Sequence, residues 1–415
     1  GAAWSTRGVL KLHAAEAMRP PAPHEGGRIV LEKIPGLWSH LDSPWRMVLR
    51  SMVREPFRAA SGVIATAMGA ALLISGFMMT DSTFFLIDHQ FQRVQRSDLT
   101  LSLKAERGWD ALDEARHWPG VDRAEPVLDV GGTFTNGSYS YKSAINGILP
   151  DGTLLVPRDK DGGRLRIPST GLVMNRKLAQ ILHVEIGDEV QFRPATGRRE
   201  TRSLPIAGIS DGYLGLSAYA DIDYLSRQVG EQRAMTRIEL ALDGNPVHTE
   251  QLYRQLKQTP GLQTIASRND MIHNLETQIL ELLWVFIGIL VLFAGSVFFG
   301  TILNGSLVSL EQRRRELGTL FVLGYSPWEL GGLLLRETIV VTVFGLLLGA
   351  PLGYALTILT SFAYDTEIMR LPIVWSNGTV VWTIFFAVLF ASLSHAVVQR
   401  IVFKTDWIEA LQAKE

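Results

Sequence analysis

Four stretches of this chain, roughly residues 59 to 80, 282 to 303, 338 to 360 and 380 to 399, are apolar over about 20 positions with almost no charge. A hydrocarbon core roughly 30 Å thick is crossed by a helix of about that length, and buried helices of water-soluble cores rarely run so far without charge. Four membrane spans are therefore expected, and the rest of the chain must fit around them. One polar segment, about 81 to 275, is long enough to be a domain of its own. The composition agrees: 20% of residues are charged, yet mean hydropathy is +0.14, as in a chain that alternates between membrane and water.

Lysine and arginine in the short flanking segments orient such a chain. Arg46, Arg50, Arg54 and Arg58 recur every four residues before the first span, which places them on one face of a basic amphipathic helix at the cytoplasmic surface. Arg313, Arg314 and Arg315 follow the second span, and Arg400 and Lys404 the fourth, whereas the stretch after the third carries one arginine against Asp365 and Glu367. The expectation is an inner (plasma) membrane protein with both termini cytoplasmic and residues 81 to 275 outside.

Within that outer segment, alternating runs such as "DLTLSL", "EVQFRP" and "RIELAL" read as strands among short helices, an α+β pattern. "DLTLSL…WDALDEARHWPGVDRAEPV" and "RIELAL…TEQLYRQLKQTPGLQTIAS" share the order strand, helix, Pro-Gly turn, strand, so two β-α-β units pair as a ferredoxin-like sheet at the membrane-proximal base. "STGLVMNRKLAQILHVEIGDEVQFRP" supplies a second, β-rich lobe. The fold class expected is thus a four-helix membrane protein with an α+β extracytoplasmic domain inserted between the first and second spans.

Chemistry is scarce in this sequence. A net charge of −1 offers no field for nucleic acid, and with no cysteine there is no thiolate, disulfide or Cys-ligated metal. His-Glu-x-x-His, Gly-x-Ser-x-Gly and Walker patterns are all missing, and His117, His183, His248 and His273 stand alone. Asp221 and Asp223 read as the acidic start of a helix rather than a catalytic pair. No catalytic, metal or cofactor residues are assigned, and any ATP chemistry is expected in a separate subunit.

The informative stretch is "LEQRRRELGTLFVLGYSPWEL", residues 310 to 330. Upstream, Ser267 and Asp270 form a start signature for a proline-free helix expected to continue to about Leu317, on the order of 75 Å long. Such a helix is a lever between the two sides. At its inner end Glu311 and Arg315 are spaced for an i,i+4 pair, Gly318 and Gly324 loosen the backbone, and Pro327, capped by Ser326, starts a short helix carrying Trp328 and Glu329. One reading is a docking element; the plainer one is a solvated loop obeying the positive-inside rule. Arg336 and Glu337 are expected as interface charges at a span end, and Gly345, Gly349 and Gly353 as a small-residue face for close helix packing.

"LEQRRRELGTLFVLGYSPWELGGLLLRETIVV" resembles the FtsX/MacB-like ABC transporter permease family. In that family Glu-x-x-Arg-Arg-Glu-Leu-Gly leads to a Leu-Gly-Ala-Ser-like turn and then a glutamate in the next span. The matching positions are Glu311, Arg314, Arg315, Glu316, Leu317 and Gly318, then Leu323, Gly324, Tyr325 and Ser326, then Glu337, with Tyr325 replacing the usual small residue. "VMNRKLAQILHVEIGDEVQF" resembles the outer "sabre" lobe of the same family. The resemblance implies coupling to a cytoplasmic ABC ATPase dimer that moves the outer domain (mechanotransmission), acting on lipid, lipoprotein or another amphiphile. It implies as further partners membrane lipids, a second permease half and a periplasmic or extracellular protein. A transmembrane regulator of a cell-wall hydrolase, and a receptor or scaffold without an ATPase, remain alternatives.

Residues 1 to 20 also align without gaps on 394 to 413, matching Arg7 with Arg400, Val9 with Val402, Lys11 with Lys404 and Glu16 with Glu409. The division expected is then the end of a preceding repeat plus linker at 1–43, an amphipathic helix and first span at 44–80, the outer α+β domain at 81–275, and an FtsX-like unit with the remaining spans at 276–415.

Overall fold

The computed structural model describes residues 41–407 except 160–161, 197–198, 232, 276, 279–280 and 367–369. The aligned first 20 residues, and the last few of their counterpart, lie outside the described residues. Among the described residues four helices are long and apolar enough to cross a membrane. They are α2 (Pro56–Asp88, prolonged by a π turn at His89–Val94), α8 (Glu281–Gln312), α10 (Pro327–Ala363) and α11 (Asn377–Lys404).

The arginine-rich approach is two helices rather than one. Helix α1 (Ser43–Arg54) stops at Glu55 because Pro56 has no N–H and disfavours helical backbone in the residue before it. Arg46, Arg50 and Arg54 therefore stay on α1, while Arg58 belongs to α2 and turns into the bundle, its side chain 15% exposed.

The expected 75 Å lever is interrupted at Arg313. Ser267 is the last residue of strand β9 (Leu262–Ser267), helix α7 (Arg268–Leu275) follows it, and α8 is described from Glu281. Helix α8 ends at Gln312, and Arg313, with φ −103° and ψ 14°, turns the chain into a second short helix, α9 (Arg314–Val322). Alone, α8 is about 48 Å long at 1.5 Å per residue.

In chain order the nine strands found among the described residues fall between α2 and α8. Strands β1 (Leu99–Arg107), β2 (Val121–Asn136), β8 (Met235–Leu242) and β9 stand in the order β9-β1-β8-β2, antiparallel throughout. With α3 (Asp110–Arg116) between β1 and β2 and α6 (Pro246–Lys257) between β8 and β9, this is the ferredoxin-like arrangement expected from the repeat. Leu99, Leu101, Leu112, Ile238, Leu240, Leu252 and Leu256 fill its core.

Strand β2 is 16 residues long and serves two sheets. Its first half pairs with β8; its second pairs with β3 (Tyr139–Ile148) on one side and β5 (Glu189–Pro194) on the other. With β4 (Leu172–Asn175), β6 (Arg202–Ser210) and β7 (Ala218–Asp221) the ladder β2-β3-β7-β4-β6-β5 returns to β2, a closed ring without free edges. Phe134 and Phe192 meet inside it, ring centroids 4.7 Å apart and planes tilted by 48°. Helices α4 (Arg176–Leu182) and α5 (Ile222–Val229) cover it, and Asp221 caps α5 by accepting from Asp223 N and Tyr224 N, the helix-start role read from the sequence. Where β2 passes from one sheet to the other, Arg237 bridges Glu239 (3.0 Å) and Asp129 (3.4 Å). Burial pushes the Asp129 carboxyl above its ordinary value, and the Arg237 charge opposes that rise.

The sheet domain meets the membrane helices at its foot. Strands β1 and β9 pair directly, Leu99 opposite Ser267, and Arg268 binds Asp98 at 2.8 Å, so the segments leading to α2 and α8 leave side by side.

Within the bundle α10 lies along α2. A Cβ at Gly345 would stand 2.5 Å from Thr66 Cγ2, one at Gly349 2.6 Å from Ala70 Cβ, and one at Gly353 2.7 Å from Ile74 Cβ. This is close packing of the kind expected from the small-residue spacing, but it is internal. The glycine face is occupied by the chain's own first span and is not free for a second permease half. Gly349→Val should cost about 1 to 3 kcal/mol by overpacking this seam. Gly288→Val, at an open position of α8, should leave the thermal midpoint of the purified full chain unchanged. Equal midpoints for the two variants would refute the seam.

Candidate coupling surface

At the end of the bundle away from the sheet domain, five elements converge on one apolar cluster. Val48 and Met52 of α1, Leu310 of α8, Leu317 of α9, Leu330, Leu333 and Leu334 of α10, and Val398 and Val402 of α11 pack together with Trp407. The cluster explains why the chain between α8 and α10 is folded back rather than solvated: Leu310 and Leu317, either side of the Arg313 break, insert into the same core.

Arg313 is itself buried, 8% exposed, with its Nε 3.1 Å from Glu316. Arg314 faces Glu311 at 3.6 Å, and Glu311, Arg315 and Glu316 are exposed. Gly318, expected to loosen the backbone, is instead buried inside α9. Gly324 does so, with φ +101°, a left-handed conformation that glycine adopts without a Cβ clash. The turn it makes ends in a capping box: the Ser326 side chain accepts from Glu329 N, and Glu329 accepts in return from Ser326 N at 2.7 Å.

The helix that starts here is not short. Pro327 is the first residue of a 37-residue helix that runs on through the third apolar stretch, so the capped end and the span are one element. Gln399 of α11 holds this end, donating from Nε2 to Pro327 O at 3.1 Å over Gly331, where any side chain would collide with it.

Around the turn an apolar patch is exposed: Val322 (66%), Leu323 (72%), Tyr325 (42%) and Trp328 (69%). Trp328 leans edge-on against Phe403 of α11 at 4.9 Å, which fixes the indole while leaving its outer face open. Beside the patch an open groove of about 630 Å³ runs between the ends of α8 and α11, bordered by Glu311, Arg314, Lys404 and Asp406. Sequence reasoning found Leu323, Tyr325 and Trp328 but passed over Val322, Phe403 and Gln399. Phe403 and Gln399 come from a distant helix and left no local signal.

Arg336 and Glu337 are not simple interface charges. Arg336 donates to Gly332 O at 2.9 Å and lies over the Trp45 ring of α1 at 5.8 Å. Glu337, 14% exposed, takes the Arg58 guanidinium at 3.0 Å on one carboxylate oxygen and the Ser309 hydroxyl at 2.9 Å on the other. Arg58 also reaches Glu55 at 3.2 Å and donates to Gln312 Oε1 at 3.0 Å. This network ties α2, α8 and α10 together nine residues, about two and a half turns, along α10 from Trp328. It was misread because the basic periodicity of α1 concealed that Pro56 rotates Arg58 inward.

Residues 284–406, which contain the break, the turn, the patch and Glu337, match the family model described as FtsX-like permease C-terminal. That segment is similar to FtsX-like permeases. Among solved structures the chain is similar to the periplasmic region of MacB from Actinobacillus actinomycetemcomitans. The identity there is 13%, covering 46% of this chain and 97% of that one, with a TM-score of 0.31. It is also similar to the extracellular domain of the noncanonic ABC-type transporter YknZ from Gram-positive bacteria, at 12% identity over 40% of this chain and 98% of that one, TM-score 0.30. A domain of a putative permease from Porphyromonas gingivalis gives 15% identity over 40% and 77% of the two chains, TM-score 0.23. No curated protein matches the chain.

In this FtsX-like segment the Glu337 network should outweigh the surface pairs. Glu337→Ala leaves a largely buried Arg58 with only Glu55 and Gln312 as partners and should cost about 3 kcal/mol, read as a lowered thermal midpoint. Glu337→Gln, which can still accept from Ser309, should lose less. Glu311→Ala, in an exposed pair, should cost about 0 to 1 kcal/mol. A Glu337→Ala protein that melts with the Glu311→Ala protein would remove the network from the account.

Proposed function

We propose that this chain is the membrane subunit of an ABC-type transporter, receiving force from a separate cytoplasmic ATPase at the α9–α10 turn and passing it to the sheet domain on the outer side. The observation that carries the reading is the exposed Val322, Leu323, Tyr325 and Trp328 patch on a capped turn, backed by a packed cluster and lying inside the FtsX-like segment. An apolar patch rimmed by Glu311, Arg314, Arg315 and Glu316 has the composition of a protein-binding surface, with an aromatic anchor at its centre. The FtsX-like family supplies the kind of partner, an ABC ATPase.

The path for force follows from the connections. Because the capped turn and the third span are one helix, and that helix is seamed to α2 through Gly345, Gly349 and Gly353, a push at Trp328 moves α2 as well. Helix α2 continues through its π turn toward β1, and β1 is paired with β9 above α8. We assign residues 81 to 275 to the extracytoplasmic side and both termini to the cytoplasm on the arginine and lysine distribution. The cargo class, lipid, lipoprotein or another amphiphile, is part of the same proposal and rests on the family resemblance. A second permease unit, if one pairs with this chain, must use a face other than the glycine seam.

Two measurements test this. Single cysteines placed at Ser138, in the exposed β2–β3 turn, and at Thr319, on the exposed side of α9, should react with a membrane-impermeant maleimide from opposite sides. Reaction from one side overturns the orientation. Trp328→Ala combined with Glu329→Arg should lower affinity for the ATPase by at least thirtyfold, about 2 kcal/mol, while the protein still inserts and its sheet domain still folds. Unchanged ATPase binding by a correctly inserted double variant leaves the loop a plain positive-inside segment.

A further inference from the structure

The sheet domain is attached to the bundle twice, in two different ways. The ferredoxin-like sheet is joined to it by the chain itself, β1 following α2 and β9 leading through α7 toward α8. The closed ring has no chain connection of its own to the bundle and meets it through contacts with the α10–α11 connection. There Lys177 of α4 binds Asp365 at 2.7 Å, and Arg370 donates its backbone N–H to Tyr213 O at 3.0 Å, its guanidinium lying 3.9 Å from Asp211. The Tyr213 ring also packs edge-on to Phe85 and His89 where α2 leaves the bundle, at 5.9 and 5.0 Å.

Each side of this contact is stiff. In the ring, Asn175, 4% exposed, accepts from Lys177 N at 2.9 Å and donates to Gly212 O at 3.2 Å, so Lys177 and the Asp211–Tyr213 segment are presented as one piece. Arg176 grips Asp211 at 2.5 and 2.7 Å. On the bundle side Ser361 donates to Leu371 O at 2.9 Å and Val374 N to Ser82 Oγ at 3.3 Å, while Ser376 and Thr379 donate to Asp81. Any give is left to the contacts between the two sides.

Those contacts are polar and incompletely made. The Lys177 and Asp365 side chains are each 25% exposed, and partly exposed ion pairs are individually weak. Lys177 serves one Asp365 oxygen; the other, Oδ1, is buried without a hydrogen-bond partner. Arg370 stands off at 3.9 Å from an Asp211 that Arg176 already neutralises. Two bodies joined by a polar contact of this kind are free to move relative to each other, whereas a large apolar interface would fix them. Helix α4 gives an independent sign. Arg176 and Lys177 put two cations, and no acid, in its first turn, where the helix dipole disfavours positive charge. Local structure works against both residues, and their tertiary partners account for them.

We propose that these contacts form a releasable latch, which clasps the closed ring to the α10–α11 connection at rest and lets it pivot about the β1–β9 foot when the bundle rearranges. The latch deepens the force-coupling reading and rests on it for what drives the release. Since the chain has no cysteine, Gln191→Cys on β5 and Val381→Cys on α11, both exposed, can carry spin labels in the full chain in nanodiscs. Double electron–electron resonance then reads the distance between ring and bundle. Lys177→Glu sets like charges against Asp365 yet suits the first turn of α4. It should raise the fraction of molecules outside the resting distance about fivefold while the ring stays folded. The charge swap, Lys177→Glu with Asp365→Lys, should return that fraction to the parent value. Asp365→Asn, which removes the attraction without adding repulsion, should raise it about twofold and serves if Lys177→Glu does not fold. A folded Lys177→Glu or Asp365→Asn chain with the parent distance distribution, or a change that the swap fails to reverse, overturns the latch. The measurement uses no ATPase, so a ring that stays fixed leaves docking at the Trp328 turn standing. Unchanged ATPase binding by the Trp328→Ala, Glu329→Arg protein would in turn leave the latch standing.

Discussion

The packing of α10 against α2 is the constraint on which the other arrangements depend. Hydrocarbon tails are as apolar as leucine, so helices in a bilayer gain little from burying apolar area against each other and must associate through close van der Waals contact. Gly345, Gly349 and Gly353 permit that contact with Thr66, Ala70 and Ile74, and bring the two backbones together along the middle of the bundle. Once they are joined, what happens at one end of α10 is imposed on α2. One end of α10 is the capped Trp328 turn; the other leads into the segment bound to Lys177 and Asp211 of the sheet domain.

Charge is placed at the two ends of this seam and kept out of its middle. At the end near the Trp328 turn Glu337 collects Arg58 and Ser309 from neighbouring helices, and at the end near the sheet domain Asp81 of α2 accepts from Ser376 and Thr379 at the start of α11, both at 2.5 Å. Each carboxylate is satisfied by groups from another helix, so each fixes a helix end that apolar packing alone would leave free to slide. A buried charge is costly unless paired, which makes these contacts specify an arrangement more than they add stability. Between them the helices present hydrocarbon to the bilayer.

The sheet domain contributes a stem rather than a chemical site. Its two lobes are joined through one long strand, β2, whose hydrogen bonds are shared between the ferredoxin-like sheet and the closed ring. The Arg237, Asp129 and Glu239 contacts sit where that strand changes sheets. Both lobes therefore follow the foot formed by β1 and β9, which is continuous with α2 and neighbours α8.

The four apolar stretches, the internal β-α-β repeat, the Ser326 cap and the glycine spacing could all be read directly, because each depends on residues close in sequence or on a strict period. Pairing of the two β-α-β units into the order β9-β1-β8-β2 followed from the same repeat. What the sequence left open was decided by contacts between distant segments. Nothing local marks Arg313 as a helix end; the turn there is set by Leu310, Leu317 and Leu330 meeting in one cluster. Arg58 belongs by spacing to a surface helix, and only the rotation after Pro56 delivers it to Glu337. The partner of the glycine face, the Gln399 contact over Gly331 and the pairing of Lys177 with Asp365 likewise arise from elements tens or hundreds of residues apart. Local periodicity states which side of a helix is small, charged or apolar, and tertiary packing alone determines what that side touches.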